Sequence, residues 1–168
     1  MAEPTNAKCT SDVLQRIQTV LRDHMATETA ALETIWADGI ELPIPADEDI
    51  QIGPEYNFTA DPIIGIEWSQ DTQQLYIGPR ADHRIILKVR LAFNDNQAVG
   101  NIGIKTARYG RAIWVTLRKN YVDDDGTIHE LELEEIDPGV WYDPDQGIEG
   151  NGVEMTLIAN SQFTLPPY

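Results

Sequence analysis

Cysteine is nearly missing from this chain of 168 residues: Cys9 stands alone, so no internal disulfide can form. One thiol says little beyond compatibility with a reducing compartment. Long apolar runs are missing too, and none approaches the roughly 20 residues that cross a bilayer, so no membrane association is expected. The opening residues MAEPTNAKCT have neither the basic nor the apolar block of a secretory signal. Without a sign of secretion, the Asn57-Phe58-Thr59 sequon reads as a chance match. Cations are few, 12 Lys and Arg against 28 Asp and Glu, for a net charge of −16. That balance disfavours binding to the outside of a nucleic acid.

The marks of catalysis are missing as well. His24, His83 and His129 are scattered, with no H-E-x-x-H spacing, and read as surface or helix-face residues. There is no G-x-S-x-G elbow, no P-loop and no dinucleotide fingerprint, and Gly100-Asn101-Ile102-Gly103 is too short to cradle phosphate. Cys9 falls in a segment (residues 1–10) expected to be flexible, a poor place to hold a nucleophile. Carboxylate pairs abound in so acidic a chain and carry no information about acid–base work. Asp47-Glu48-Asp49 is most simply a solvated loop. The residues specify no enzyme, no metal and no cofactor.

What is present suits one folded domain over 1–168. The apolar share is 42%, and a chain of this length can bury about 70% of its unfolded surface. Charge is unevenly placed. Nine of the twelve Lys and Arg fall between Arg80 and Lys119, whereas Asn120 to Tyr168 holds twelve acids and no Lys or Arg. Either the fold cancels this asymmetry internally, or basic and acidic faces of neighbouring copies meet head to tail.

The pattern predicts a long first helix. Thr10-Ser11-Asp12 offers capping oxygens, and Val13, Leu14, Ile17, Leu21, Met25, Leu32 and Ile35 recur at three- and four-residue steps. Ala26-Thr27 is a candidate break, Gly39 a C-terminal cap and Pro43 a stop. Residues 40–61, with Pro43, Pro45 and Pro54, read as an extended arm or loop, with Ile50–Ile52 as a candidate short strand. Ile63–Trp68 reads as a strand. In the next one, Ile85, Leu87, Val89, Leu91 and Phe93 alternate with Ile86, Lys88, Arg90 and Ala92. Asn94-Asp95-Asn96 closes that strand and offers caps to a helix over Gln97 to Asn120. Gly100, Gly103 and Gly110 weaken that helix, each by about 1 kcal/mol relative to Ala, and close packing is one reason to tolerate them. Leu131, Leu133 and Ile136 then alternate with Glu130, Glu132 and Glu134 until Asp137-Pro138-Gly139. A loop with Trp141 and Tyr142 leads to a last strand through Val153, Met155, Leu157 and Ala159. The expectation is an α/β (α+β) fold. Its antiparallel or mixed four-stranded sheet is packed by the long N-terminal helix and a second helix.

One stretch imitates a calcium site. Numbered from Tyr121, YVDDDGTIHELE places Asp123, Asp125, Gly126, Ile128 and Glu132 where an EF-hand loop has its third, fifth, sixth, eighth and twelfth residues. Tyr121 takes the place of the first ligand, however, and the exit segment alternates as a strand where the motif needs a helix. Asp and Gly are also what a tight turn uses, and a turn is the expectation.

The order of elements resembles the tail-terminator (tail-completion) proteins of long-tailed bacteriophages. The resemblance is carried by the opening helix Val13–Ile35, the LPIP segment at Leu42–Pro45, the strand HRIILKVRLAF, the helix around ARYGRAIWVTLRKN and the late strand GVEMTLIANSQFTL. It covers most of the chain and rests on layout, not on an invariant motif. The WYDPDQG loop and the length beyond a minimal terminator fall outside it.

The resemblance implies a homo-oligomeric ring in the virion, typically of six copies, assembled in the host cytoplasm. It would sit where the tail tube protein meets the neck, stop tube polymerisation and join the tail to the head-side connector. It implies no catalytic residue and no cofactor. Lys88, Arg90, Arg108 and Arg111 could meet Glu130, Glu132 and Glu134 of a neighbour in such a ring. Alternatively those strands pair within one subunit, at about 0.2–1 kcal/mol for each opposed charge pair. Surplus negative charge would suit a lumen through which DNA passes without sticking. Two other readings stand beside this one. A head-tail connector or adaptor (neck) protein of the same junction is the nearer. An acidic stand-alone binding module is the other, and it predicts a monomer that binds a cationic partner with strong salt dependence.

Overall fold

A computed structural model describes residues 10–53, 61–75, 80–94, 101–124, 126–143 and 148–164. Cys9 and the rest of the N-terminal segment before Thr10, the sequon at Asn57, Asp95 and Asn96, Asp125 and the end of the WYDPDQG stretch lie outside the described residues.

The first helix, α1, runs from Thr10 to Trp36 with no break at Ala26-Thr27. Its periodic residues bury one face: Val13, Leu14, Ile17, Val20, Leu21, Met25 and Thr29. The expectation fails in the last two turns, where Leu32 is half-buried and Ile35 is 75% exposed. There Trp36, not Ile35, packs against the core. Ala37 follows with φ +49, and its N–H bonds the Glu33 carbonyl at 2.9 Å, so the left-handed turn begins two residues before Gly39.

The arm after α1 lies along the core. Leu42 and Pro45 are buried, and the Leu42 N–H bonds Glu33 Oε1 at 2.6 Å. A single 3₁₀ turn at Asp47–Asp49 then leads into β1 (Ile50–Ile52). The other strands are β2 (Ile63–Leu75), β3 (Arg80–Phe93), β4 (Glu130–Asp143) and β5 (Ile148–Thr164), with α2 (Ile102–Asn120) between β3 and β4. They form one five-stranded sheet in the order β1-β2-β3-β5-β4. β1 is parallel to β2 and every other pairing is antiparallel. The domain is therefore α+β with a mixed sheet of five strands, one more than the four expected. The added strand is Ile50–Ile52, the candidate short strand of the arm, which was not counted in the sheet because three residues flanked by acids and Gly53 show no period.

Strand lengths also exceed expectation. β2 continues through polar Ser69–Gln74, past a bulge between Trp68 and Gln70. β4 continues through Asp137-Pro138-Gly139 to include Trp141 and Tyr142, which were expected in a loop. Proline ends a central strand but is tolerated on an edge, and β4 is an edge.

Both helices cover one face of the sheet. Ile64 and Ile66 of β2, Ile85 to Phe93 at alternate positions of β3, and Val153, Met155, Leu157 and Ala159 of β5 meet α1 and α2 in one core. Each such fully buried side chain contributes about 1.5–3 kcal/mol. Tyr109 of α2 sits inside this core at 1% exposure, its ring 5.0 Å from Phe93 and its hydroxyl bonded to the Pro43 carbonyl at 2.8 Å. Gly110 shows why a glycine is tolerated mid-helix: a Cβ there would lie 3.2 Å from Ile136 Cγ2. Gly103 has no such neighbour. α2 begins at Ile102 without a side-chain cap from Asn101.

Candidate functional site

The alternation that buries one face of each strand puts the complementary set on the other. On that outer face lie Lys88 and Arg90 of β3, Glu67 of β2, Glu154 of β5, and Glu130, Glu132, Glu135 and Asp137 of β4. Register decides who meets whom. Arg90 stands opposite both Gly65 and Glu154, and Lys88 opposite Glu67 and Thr156.

The outcome is a four-residue ion network within one subunit. Glu154 accepts from Lys88 Nζ at 2.5 Å and from Arg90 Nε at 2.5 Å, while Arg90 Nη1 reaches Glu67 Oε1 at 2.9 Å. Burial works to raise the Glu154 pKa, but the bonds from Lys88 and Arg90 outweigh it and hold the carboxyl below its ordinary value. Lys88 and Arg90 thus pair inside the subunit, though not with Glu130, Glu132 or Glu134. β5 lies between β3 and β4, so those strands do not pair. Glu67 and Glu154 were missed in sequence because the strand order that brings them to the cations is non-local. The signal available was that each is an acid at an outward position of an otherwise apolar alternation.

Arg108 is also engaged. Its guanidinium makes a bidentate contact with Asp38 at 2.8 and 2.5 Å and lies 4.5 Å over the Trp36 ring. The hydrogen bond from Arg108 holds the Asp38 carboxyl down at about 2, and Asp38 raises the arginine's pKa in turn. This fork closes the loop after α1 onto α2 and leaves Arg108 little to offer a neighbour.

Arg111 and Arg118 differ: both are exposed on α2 and neither pairs with an acid among the described residues. The β4 carboxylates have the same standing. Glu130, Glu132, Glu134, Glu135 and Asp137 are exposed and meet no cation among the described residues, although Glu130 accepts a bond of 3.1 Å from Asn160 Nδ2. Glu134 occupies a bulge between Leu133 and Glu135. Unlike charges are therefore left over on different surfaces, acids on one sheet edge and arginines on the helical layer.

Beside β4 the helix–sheet layer is open. A groove of about 630 Å³ lies between α2 and β4, lined by Ile102, Thr106 and Ala107 on the helix and by Ile136, Pro138 and Val153 on the strands. At the far edge of the sheet, Trp68 is 57% exposed. Sequence reasoning did not single out either feature.

Two clusters suggest chemistry at first sight. His83 Nδ1 lies 2.9 Å from Asp71 Oδ1, and His83 stands opposite Ser161 in the β3–β5 register. The Ser161 hydroxyl, however, is buried and donates to the Thr127 carbonyl, while Thr10 Oγ1 donates to Asp71 Oδ2 at 2.6 Å. These bonds tie the start of α1 and the 123–129 turn to the sheet. In that turn Thr127 N–H bonds Asp123 Oδ1 at 2.8 Å, and Gly126 has φ +63. The exit segment is β4, so the loop is a turn and lacks the flanking helix of an EF-hand. Among the described residues, no group of three His, Cys, Asp or Glu could hold a metal ion. Nor is any helix among them long and apolar enough to cross a membrane.

No protein-family model matches the sequence, and no curated protein matches it significantly.

Proposed function

We propose that the chain is a structural ring protein of a bacteriophage virion that caps the tail tube, ends its polymerisation and joins it to the head-side connector. The layout of elements supports this reading, and one observation carries it. The β4 acids and the arginines Arg111 and Arg118, none of them in an ion pair among the described residues, occupy different surfaces of the same subunit. A contact between unlike patches is heterologous, and a heterologous contact repeated with the right rotation closes a ring. Acids on the β4 edge also disfavour the two-fold alternative, since two such edges would set like charges opposite each other. Of the cations first considered, Arg111 remains available to a neighbour; Lys88, Arg90 and Arg108 act within the subunit.

Electron microscopy of particles made by the virus with this gene deleted tests the proposal. Overlong or ragged tails separated from filled heads are expected. Normal-length free tails beside heads that have leaked DNA would assign the chain to the connector side of the junction. Intact infectious virions would overturn the virion role and favour the acidic binding module.

A further inference from the structure

Tyr109, Ile113 and Leu117 mark the core face of α2. On the opposite side, at steps of three and four residues, run Ile104, Ala107, Arg111, Val115 and Arg118. The outward line of a surface helix is ordinarily polar. This one is apolar apart from its two arginines, and Ile104 is 43% exposed. Arginine is enriched in protein contacts, where lysine and the acids are depleted.

Charge on this helix is also unusual. α2 carries no acid at all, in a chain with 28 Asp and Glu against 12 Lys and Arg. On the flank toward α1 its cations are nonetheless matched, Arg108 by Asp38 and Lys119 by Glu28. Arg111 and Arg118 are in no ion pair among the described residues. Where acids so outnumber cations, two arginines left on one line point to carboxylates supplied from outside the subunit.

The occupant follows from the spacing. Two such lines cannot face each other, because arginine would meet arginine, so the contact joins unlike faces. Arg111 and Arg118 are two turns apart, about 10.5 Å along the helix. The exposed acids Asp47-Glu48-Asp49 sit on a single 3₁₀ turn of about 6 Å, too short to meet both in place. In β4, by contrast, Glu130, Glu132, Glu135 and Asp137 form one exposed row on the outer face, opposite Asn160 to Glu154. That row is about 20 Å long. It lies on the side of the sheet away from α2, and none of its acids is in an ion pair among the described residues.

We propose that the outward line of α2, from Ile104 to Arg118, packs on the outer face of β4 in the next copy. Arg111 and Arg118 pair with the carboxylates of that row, and Ile104 and Val115 leave water with them. The occupant is a second copy of this chain. The contact rests on the ring reading and names the two faces that meet.

The test uses the full chain in two forms, Arg111→Ala with Arg118→Ala, and Glu132→Gln with Glu135→Gln. All four positions are exposed, and circular dichroism checks that each form folds. In sedimentation velocity the unsubstituted chain should give one closed oligomer that dissociates as salt is raised. Each variant alone should associate at least tenfold more weakly. Mixed in equal amounts, the two should form a dimer and nothing larger, because only one intact pair of faces remains between them. If the unsubstituted chain forms a closed oligomer that either variant leaves intact, the contact is overturned and the ring reading stands. A mixture that stays monomeric or grows beyond a dimer overturns the contact as well. If the unsubstituted chain sediments only as a monomer at every concentration, the ring reading falls and takes the contact with it.

Discussion

Arg16, in the second turn of α1, donates from Nη2 to the backbone carbonyl of Asn120 at 2.6 Å, closing off the last turn of α2 from another helix. The same guanidinium reaches the Tyr121 carbonyl at 3.1 Å and the Val122 carbonyl at 2.8 Å. The final carbonyls of a helix have no partner within it, and a cation there also complements the helix dipole. Asp123, 3.8 Å away, balances the charge. Arg16 therefore couples the two helices and the turn into β4.

Arg16→Leu should destabilise the fold by about 2–3 kcal/mol, since hydrogen bonds to charged groups contribute about 1.5–3 kcal/mol and the carbonyls can recover part of the loss from water. Arg16→Lys should recover less than half, because an ammonium cannot span three carbonyls as a planar fork does. Urea unfolding followed by far-ultraviolet circular dichroism measures both.

Glu154 gives the fold an acid-sensitive joint. Its pKa lies below the ordinary 4.5 in the folded state, so its ion pairs contribute stability that is present above that value. That contribution is lost as pH falls through the lowered folded value. Glu154→Gln should therefore lower stability at neutral pH and make the loss on acidification shallower. Unfolding curves taken between about pH 3 and pH 7 would show two lines that converge at the acid end. Parallel lines would mean that the network contributes nothing.

Legibility in sequence followed how local each cause was. The buried face of α1 from Val13 to Met25 and the alternation of β3 are local periods, and both were readable. The tail of β2 was not, because Ser69–Gln74 is polar on both faces and the hairpin runs beyond the core. β4 beyond Asp137 was hidden by a strong turn signal that an edge strand overrides. Strand order is set by packing between segments far apart in sequence. Without it, Lys88 and Arg90 could not be assigned to Glu154 and Glu67. Of the candidate contact set, the acids of β4 and Arg111 are exposed and in no ion pair among the described residues.

Ala37 offers a gain in stability. With φ +49 directly after α1 it sits in the left-handed region, where an L side chain costs of order 1 kcal/mol and glycine costs little. Ala37→Gly should raise stability by about 0.5 kcal/mol once the added freedom of the unfolded chain is subtracted. Ala37→Val should lower it, since a β-branched residue is worse still at positive φ. Thermal unfolding of the three proteins gives the order Gly, Ala, Val if the turn is as described.

Gly110 tests the floor of the groove. In the middle of α2, alanine is preferred over glycine by about 1 kcal/mol, yet its Cβ would stand 3.2 Å from Ile136 Cγ2 and 3.4 Å from Val153 Cγ2. Ile136 is partly exposed on an edge strand and can retreat; Val153 is fully buried, and 3.4 Å is already ordinary contact. Gly110→Ala should therefore be within about 1 kcal/mol of neutral, the helix gain offset by the small displacement of Ile136. Gly110→Leu has no such outlet and should cost about 1–3 kcal/mol through overpacking. Urea unfolding of both variants checks this: alanine close to the unsubstituted protein and clearly above leucine is the expected order, and leucine as stable as alanine would mean that Gly110 does not face Ile136 and Val153 closely.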